Sequence, residues 1–186
     1  MKRDYRSEVL ARNRNIARFP TGPVLPKSSV AAASFVKRLA QVGWFNQYEA
    51  RFRDEIEGLI AQGGHAGEFD SARPELALPA VWYDVEDDEP NYEEVFAGLT
   101  KTAFGLFPAT AFESSKGGCC FFLNGRKFKT SWSQEDGISP AFFELIERAL
   151  ATLEPPTVLM GYAESSFICR QQAMDEATTA GVLPDY

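Results

Sequence analysis

Apolar residues along this chain recur with two different periods, and the switch between them divides it into elements. Ser28 and Ser29 can cap a helix, because their side-chain oxygens accept from its first free N–H groups. Phe35, Val36, Leu39 and Val42 follow on one helical face, and Gly43 ends the run. Trp44 opens a second predicted helix, whose apolar positions Phe45, Tyr48, Phe52, Ile56 and Leu59 also fall on one face. Gly63 and Gly64 stop it, since glycine tolerates the left-handed backbone of a helix end. A third helix is predicted over Asn91–Phe107, with Tyr92, Val95, Phe96, Leu99 and Phe104 inward, although Gly98 and Gly105 weaken it. A fourth starts with Ser139 as N-cap and Pro140 at its first position. It buries Phe142, Leu145, Ile146, Ala149, Leu150 and Leu153 and ends before Pro155 and Pro156.

Between the helices the period falls to two. Leu78–Val85 reads as a strand with Val81, Tyr83 and Val85 on one face. Gly118–Trp132 reads as a hairpin around Asn124-Gly125, because both central residues of a type I′ turn need positive φ. Phe128, Thr130 and Trp132 alternate there with Lys127, Lys129 and Ser131. Thr157–Tyr162 is a short buried strand, and Phe167–Ala180 a last helix, with Ser165–Cys169 able instead to extend a sheet. Residues 63–79 and Ser114–Gly118 read as loops; the second has the composition of a phosphate nest without the spacing of a P-loop. No repeat of fixed period occurs. Together these elements predict an α+β fold, an antiparallel sheet with a central Asn-Gly hairpin packed against several helices. Residues 28–186 form its single domain. Residues 1–27 form a basic N-terminal arm and a linker in which Pro20, Pro23 and Pro26 fall close together.

Length and composition bound the function. A chain of 186 residues buries about 70% of its unfolded surface. With 15 Phe, 3 Trp and 6 Tyr it has ample material for a core. Its longest apolar run, Cys119–Leu123, falls far short of the roughly 20 residues that span a bilayer. Three cysteines and no secretory signal pattern point to a reducing, cytoplasmic setting. The net charge of −7 argues against nucleic acid as a partner. That charge is unevenly spread: residues 1–20 carry six bases against two acids, leaving the rest strongly acidic.

The acids concentrate at Asp84, Glu86, Asp87, Asp88, Glu89, Glu93 and Glu94, seven in eleven positions with no base among them. Three readings compete: a solvated loop, a divalent-cation site and a docking surface for a basic partner. The cation reading is weakened because the segment lacks the central Gly and terminal Glu of an EF-hand. The docking reading gains from Trp82, Tyr83 and Tyr92, since aromatic anchors inside a charged rim suit a tight protein interface. No metal and no cofactor is expected. Catalytic motifs are absent, and a small hydrolase or transferase would have to use the lone His65 with Cys119, Cys120 or Cys169. On a strand, adjacent Cys119 and Cys120 point to opposite faces, one buried and one outward. A structural or phage-type assembly component is a third class, which would self-associate through the same aromatics.

The unit Phe121-Phe122-Leu123-Asn124-Gly125-Arg126-Lys127-Phe128, followed by Ser139-Pro140-Ala141-Phe142-Phe143 and the helix to Leu153, resembles the second half of several bacterial immunity proteins. These belong to contact-dependent and type VI polymorphic toxin systems. The resemblance covers about 40 residues and implies a non-enzymatic inhibitor of a cognate protein toxin. The partner-binding residues expected from composition are Trp82, Tyr83, Asp84, Glu86, Asp87, Asp88, Glu89, Tyr92, Glu93 and Glu94.

Overall fold

A computed structural model describes residues 29–61, 78–84, 90–133, 137–162 and 165–183. The first predicted helix is α1, Ser29–Gln41, which buries Phe35 and Leu39. Gly43, at φ 78°, breaks the chain out of it. The second predicted helix is divided. Trp44–Gln47 forms one 3-10 turn, Tyr48 is extended, and α2 runs Ala50–Ala61. Phe45 and Tyr48 are both buried without a continuous α-helix, Tyr48 with its ring edge-on to Phe104 at 6.1 Å. Within α2 the structure buries Ile56 and Ile60 fully, and Leu59 only in part.

The expected strand over Leu78–Val85 contracts to β1, Val81–Trp82. The alternation survives within it: Val81 is buried, Trp82 exposed and Tyr83 half-buried. Helix α3 spans Tyr92–Thr102, shorter than predicted, because Phe104 (φ 45°) and Gly105 (φ 86°) turn the chain away. Gly98 has a reason to stand inside α3. A Cβ there would lie 2.8 Å from Val81 Cγ2, so its absence lets β1 approach the helix.

Thr110–Ser115 forms β2, an unpredicted strand, so most of the expected loop at Ser114–Gly118 is strand, and only Lys116 and Gly117 turn the chain into β3, Gly118–Leu123. Asn124 and Gly125 take φ of 50° and 76°, as a type I′ turn requires, and β4 follows over Arg126–Ser131. Helix α4 is Pro140–Leu150, with Ser139 at the N-cap position but no side-chain cap bond. Its predicted stripe is buried, together with Phe143. Then come β5, Thr157–Tyr162, β6, Ser165–Arg170, and α5, Gln171–Thr179; the last predicted helix is thus strand at its start.

The fold is α+β, with five α-helices and two antiparallel three-stranded sheets among the described residues, ordered β1-β6-β5 and β2-β3-β4. The second contains the Asn-Gly hairpin. Helices α3 and α4 both bridge the sheets: α3 touches β1, β2 and β6, and α4 touches β3, β4 and β5. Their shared core is aromatic. Phe96 of α3 stacks on Phe112 of β2 at 4.2 Å and meets Phe121 of β3 at 5.0 Å, while Phe142 of α4 meets Phe112 at 6.1 Å. Burying each such ring stabilises by about 1.5–3 kcal/mol, which ties both helices to the hairpin. A longer-range tie fastens the other end, where Gln47 Oε1 accepts from the backbone N–H of Arg170 at 2.7 Å.

Candidate functional site

The residues predicted to meet a partner enter the fold in different ways. Glu86, Asp87, Asp88 and Glu89 lie outside the described residues, as do His65 and the whole basic arm. Trp82 stands on the outward face of β1 with 44% of its surface exposed. Asp84 is also exposed. Tyr83 faces the other way: its ring packs against Phe143 at 5.1 Å, and its hydroxyl shares a 2.9 Å hydrogen bond with Ser166 Oγ. These contacts position the backbone that presents Trp82 and Asp84 on either side.

Tyr92 is a core residue. It is buried, its ring lies 4.8 Å from that of Trp132 and 5.2 Å from that of Phe142, and its hydroxyl accepts from the Ser139 N–H. Glu93 and Glu94 are exposed in the first turn of α3, where carboxylates oppose the positive end of the helix dipole. Asn91 Oδ1 caps that helix by accepting from the Glu94 N–H at 3.1 Å, and Asn91 Nδ2 donates to the Glu94 carboxylate at 3.3 Å. Glu93 accepts from the Ser114 hydroxyl on β2. Among the described residues the exposed set is therefore Trp82 and Asp84 at β1 and Glu93 and Glu94 at the start of α3, with Tyr83 and Tyr92 turned inward. Ser166 and Ser114, which help hold it, carry no sequence signal, because they stand 83 and 21 residues from their partners.

The cysteines divide as strand alternation predicts. Cys119 is buried and Cys120 half-buried, with Cys120 Sγ 3.7 Å from Glu113 Oε2 on the neighbouring strand. Burial pushes the Cys119 thiol up to about 12, and nearby Cys120 and Glu93 add to the effect. Burial likewise pushes Cys169 up to about 12, with a smaller contribution from Asp175. Both are thiols rather than thiolates at neutral pH, a poor state for nucleophilic attack.

The bases of the hairpin serve aromatic neighbours. Lys127 Nζ lies 5.7 Å from the Phe122 ring centre, and the Arg126 guanidinium 5.0 Å from that of Phe128. Among the described residues, no helix is long and apolar enough to cross a membrane. No family model, curated protein or solved structure matches the chain.

Proposed function

We propose that this chain is a binding protein that neutralises a basic protein partner, of the cognate-toxin kind, by covering that partner's working surface. The observation that carries the reading is Trp82. It is a large ring with 44% exposure on a two-residue strand, and an exposed carboxylate follows two residues on at Asp84. Tryptophan is among the residues that contribute most when a partner desolvates them, and carboxylates around it supply sign selectivity. Glu93 and Glu94 extend the acidic character, and residues 84–94 concentrate it in the sequence. The resemblance of the hairpin and α4 to toxin-immunity proteins supports the same reading. The high pKa of Cys119 and Cys169 weighs against those two thiols as the nucleophile of the alternative, an enzyme using His65 with Cys119, Cys120 or Cys169.

The test is co-expression of this chain with the product of the gene beside its own. Relief of that product's toxicity, and capture of a complex whose association slows as salt is added, support the proposal. If no neighbouring product is toxic, or if toxicity persists when this chain is present, the proposal fails.

A further inference from the structure

Both chain neighbours of Trp82 are fixed from within. On one side Val81 is buried against Gly98 of α3, where a Cβ would lie 2.8 Å from Val81 Cγ2 and 3.0 Å from Val81 Cγ1. On the other side Tyr83 is held by the Phe143 ring at 5.1 Å and by its 2.9 Å hydrogen bond with Ser166 Oγ. Ser166 is also the residue of β6 that pairs with Val81. A single position of β6 therefore anchors β1 on both sides of Trp82. Successive side chains of a strand point to opposite faces, so two inward neighbours force the residue between them outward.

Of these anchors Gly98 is the one that breaks a local rule. Glycine is disfavoured inside a helix relative to alanine, and Gly98 takes no positive φ that would require it. The valine that fills its missing Cβ belongs to the strand that shows Trp82. Placing the small residue on the helix and the branched one on the strand lets β1 sit deep against α3. The same helix carries Glu93 and Glu94 in its first turn. The contact at Gly98 thus joins the strand that presents the ring to the helix that presents those carboxylates. A rule broken at one packing contact, with a site on the element it admits, ties that contact to the site.

We propose that Gly98 is a positioning residue of the binding surface. It acts through Val81: it sets how deeply β1 sits on α3, and through β1 the place at which the Trp82 ring meets a partner. The effect on binding rests on Trp82 being the anchor for a basic partner; the effect on the ring's position does not.

The experiment labels the full chain with 5-fluorotryptophan and reads its fluorine NMR spectrum, with far-UV circular dichroism to confirm folding. Trp82→Phe identifies the Trp82 resonance, and Trp44, buried among other elements, is the internal control. Gly98→Ala is expected to shift the Trp82 resonance and leave that of Trp44 in place. Adding Val81→Ala removes the two Cγ atoms that the new methyl would strike, and should return the resonance. Affinity for the product of the neighbouring gene should fall by about tenfold in Gly98→Ala and recover in the double variant. If Gly98→Ala does not fold, Val81→Ala alone, which empties the contact from the strand side, must shift the same resonance. A folded Gly98→Ala chain with an unmoved Trp82 resonance, or a shift that the added Val81→Ala leaves in place, overturns the positioning role. A partner bound equally well with the ring displaced overturns its bearing on binding. If Trp82→Ala itself leaves affinity unchanged, the anchor reading falls, while the resonance still decides whether Gly98 places the ring.

Discussion

The Tyr92 phenolic oxygen accepts a hydrogen bond from the backbone N–H of Ser139 at 2.9 Å, joining the first residue of α3 to the N-cap position of α4 across 47 residues. The two helices that bridge the sheets are thereby fixed to each other at their starts. Tyr92→Phe keeps the ring against Trp132 and Phe142 but leaves a buried N–H without its acceptor. The expected cost is about 1–3 kcal/mol. It should appear as a lower urea midpoint with an unchanged slope, because the folded surface is the same.

The two mid-helix glycines should respond to alanine with opposite signs. Gly98→Ala places a methyl 2.8 Å from Val81 Cγ2, so either β1 or α3 must shift. A loss of about 1–3 kcal/mol is expected, as for other overpacked sites. Gly58→Ala meets nothing and should raise stability by up to about 1 kcal/mol. Thermal or urea unfolding of both variants checks the pair; equal effects would contradict the packing described for α3.

The buried thiols make stability depend on alkaline pH. Cys119 and Cys169 start from an ordinary value near 9 in the unfolded chain and rise to about 12 in the fold, chiefly through burial. Between those values the unfolded chain has released protons that the folded one still holds. Stability is therefore fully present below about pH 9 and falls as the pH climbs toward 12. Replacing both cysteines by alanine should flatten that slope, whatever it does to stability at neutral pH. In the native protein a thiol reagent should label Cys120 first, with Cys119 and Cys169 reacting only on unfolding, as peptide mass spectrometry would show.

Trp82 and Asp84 can be tested for binding and for stability separately. Trp82→Ala removes a ring that is a little over half buried and should lower stability by about 1–3 kcal/mol while leaving the chain folded. Its effect on a captured partner should be about 2 kcal/mol or more if the ring is the anchor. Asp84→Lys should slow association more than it speeds dissociation, and the difference should shrink as salt is added. Surface plasmon resonance of the complex separates these rates; an unaltered affinity for Trp82→Ala would remove the ring from the interface.

Much of the architecture is legible along the chain because it is governed by neighbours. The Asn124-Gly125 turn, the Ser139-Pro140 helix start and the buried stripe from Phe142 to Leu153 follow from φ preferences and a 3.6-residue period. The missed strand β2 is different in kind. Thr110–Ser115 has a broken register against β3 between Thr110 and Glu113, with Ala111 at φ 52°, so its alternation is disturbed where a strand signal would be read. The division of the predicted helix after Trp44 is another such case, since Tyr48 is buried by packing against Phe104 at 6.1 Å, a residue 56 positions away.

The sequence by itself determined the class of fold, the concentration of acids at 84–94 and the inward and outward placing of Cys119 and Cys120, because composition and short periods carry these. Periodicity puts Tyr83 on the face of Val81 and Tyr92 on the apolar side of its helix, but only the tertiary structure decided what they meet there and so which aromatic residues leave the acidic surface. Tyr83 and Tyr92 are drawn inward by Ser166, Phe143, Ser139 and Trp132, partners distant in the chain, while Trp82 is left outward by the alternation of β1. Burial depends on contacts between distant residues, and a linear pattern records only which residues could make them.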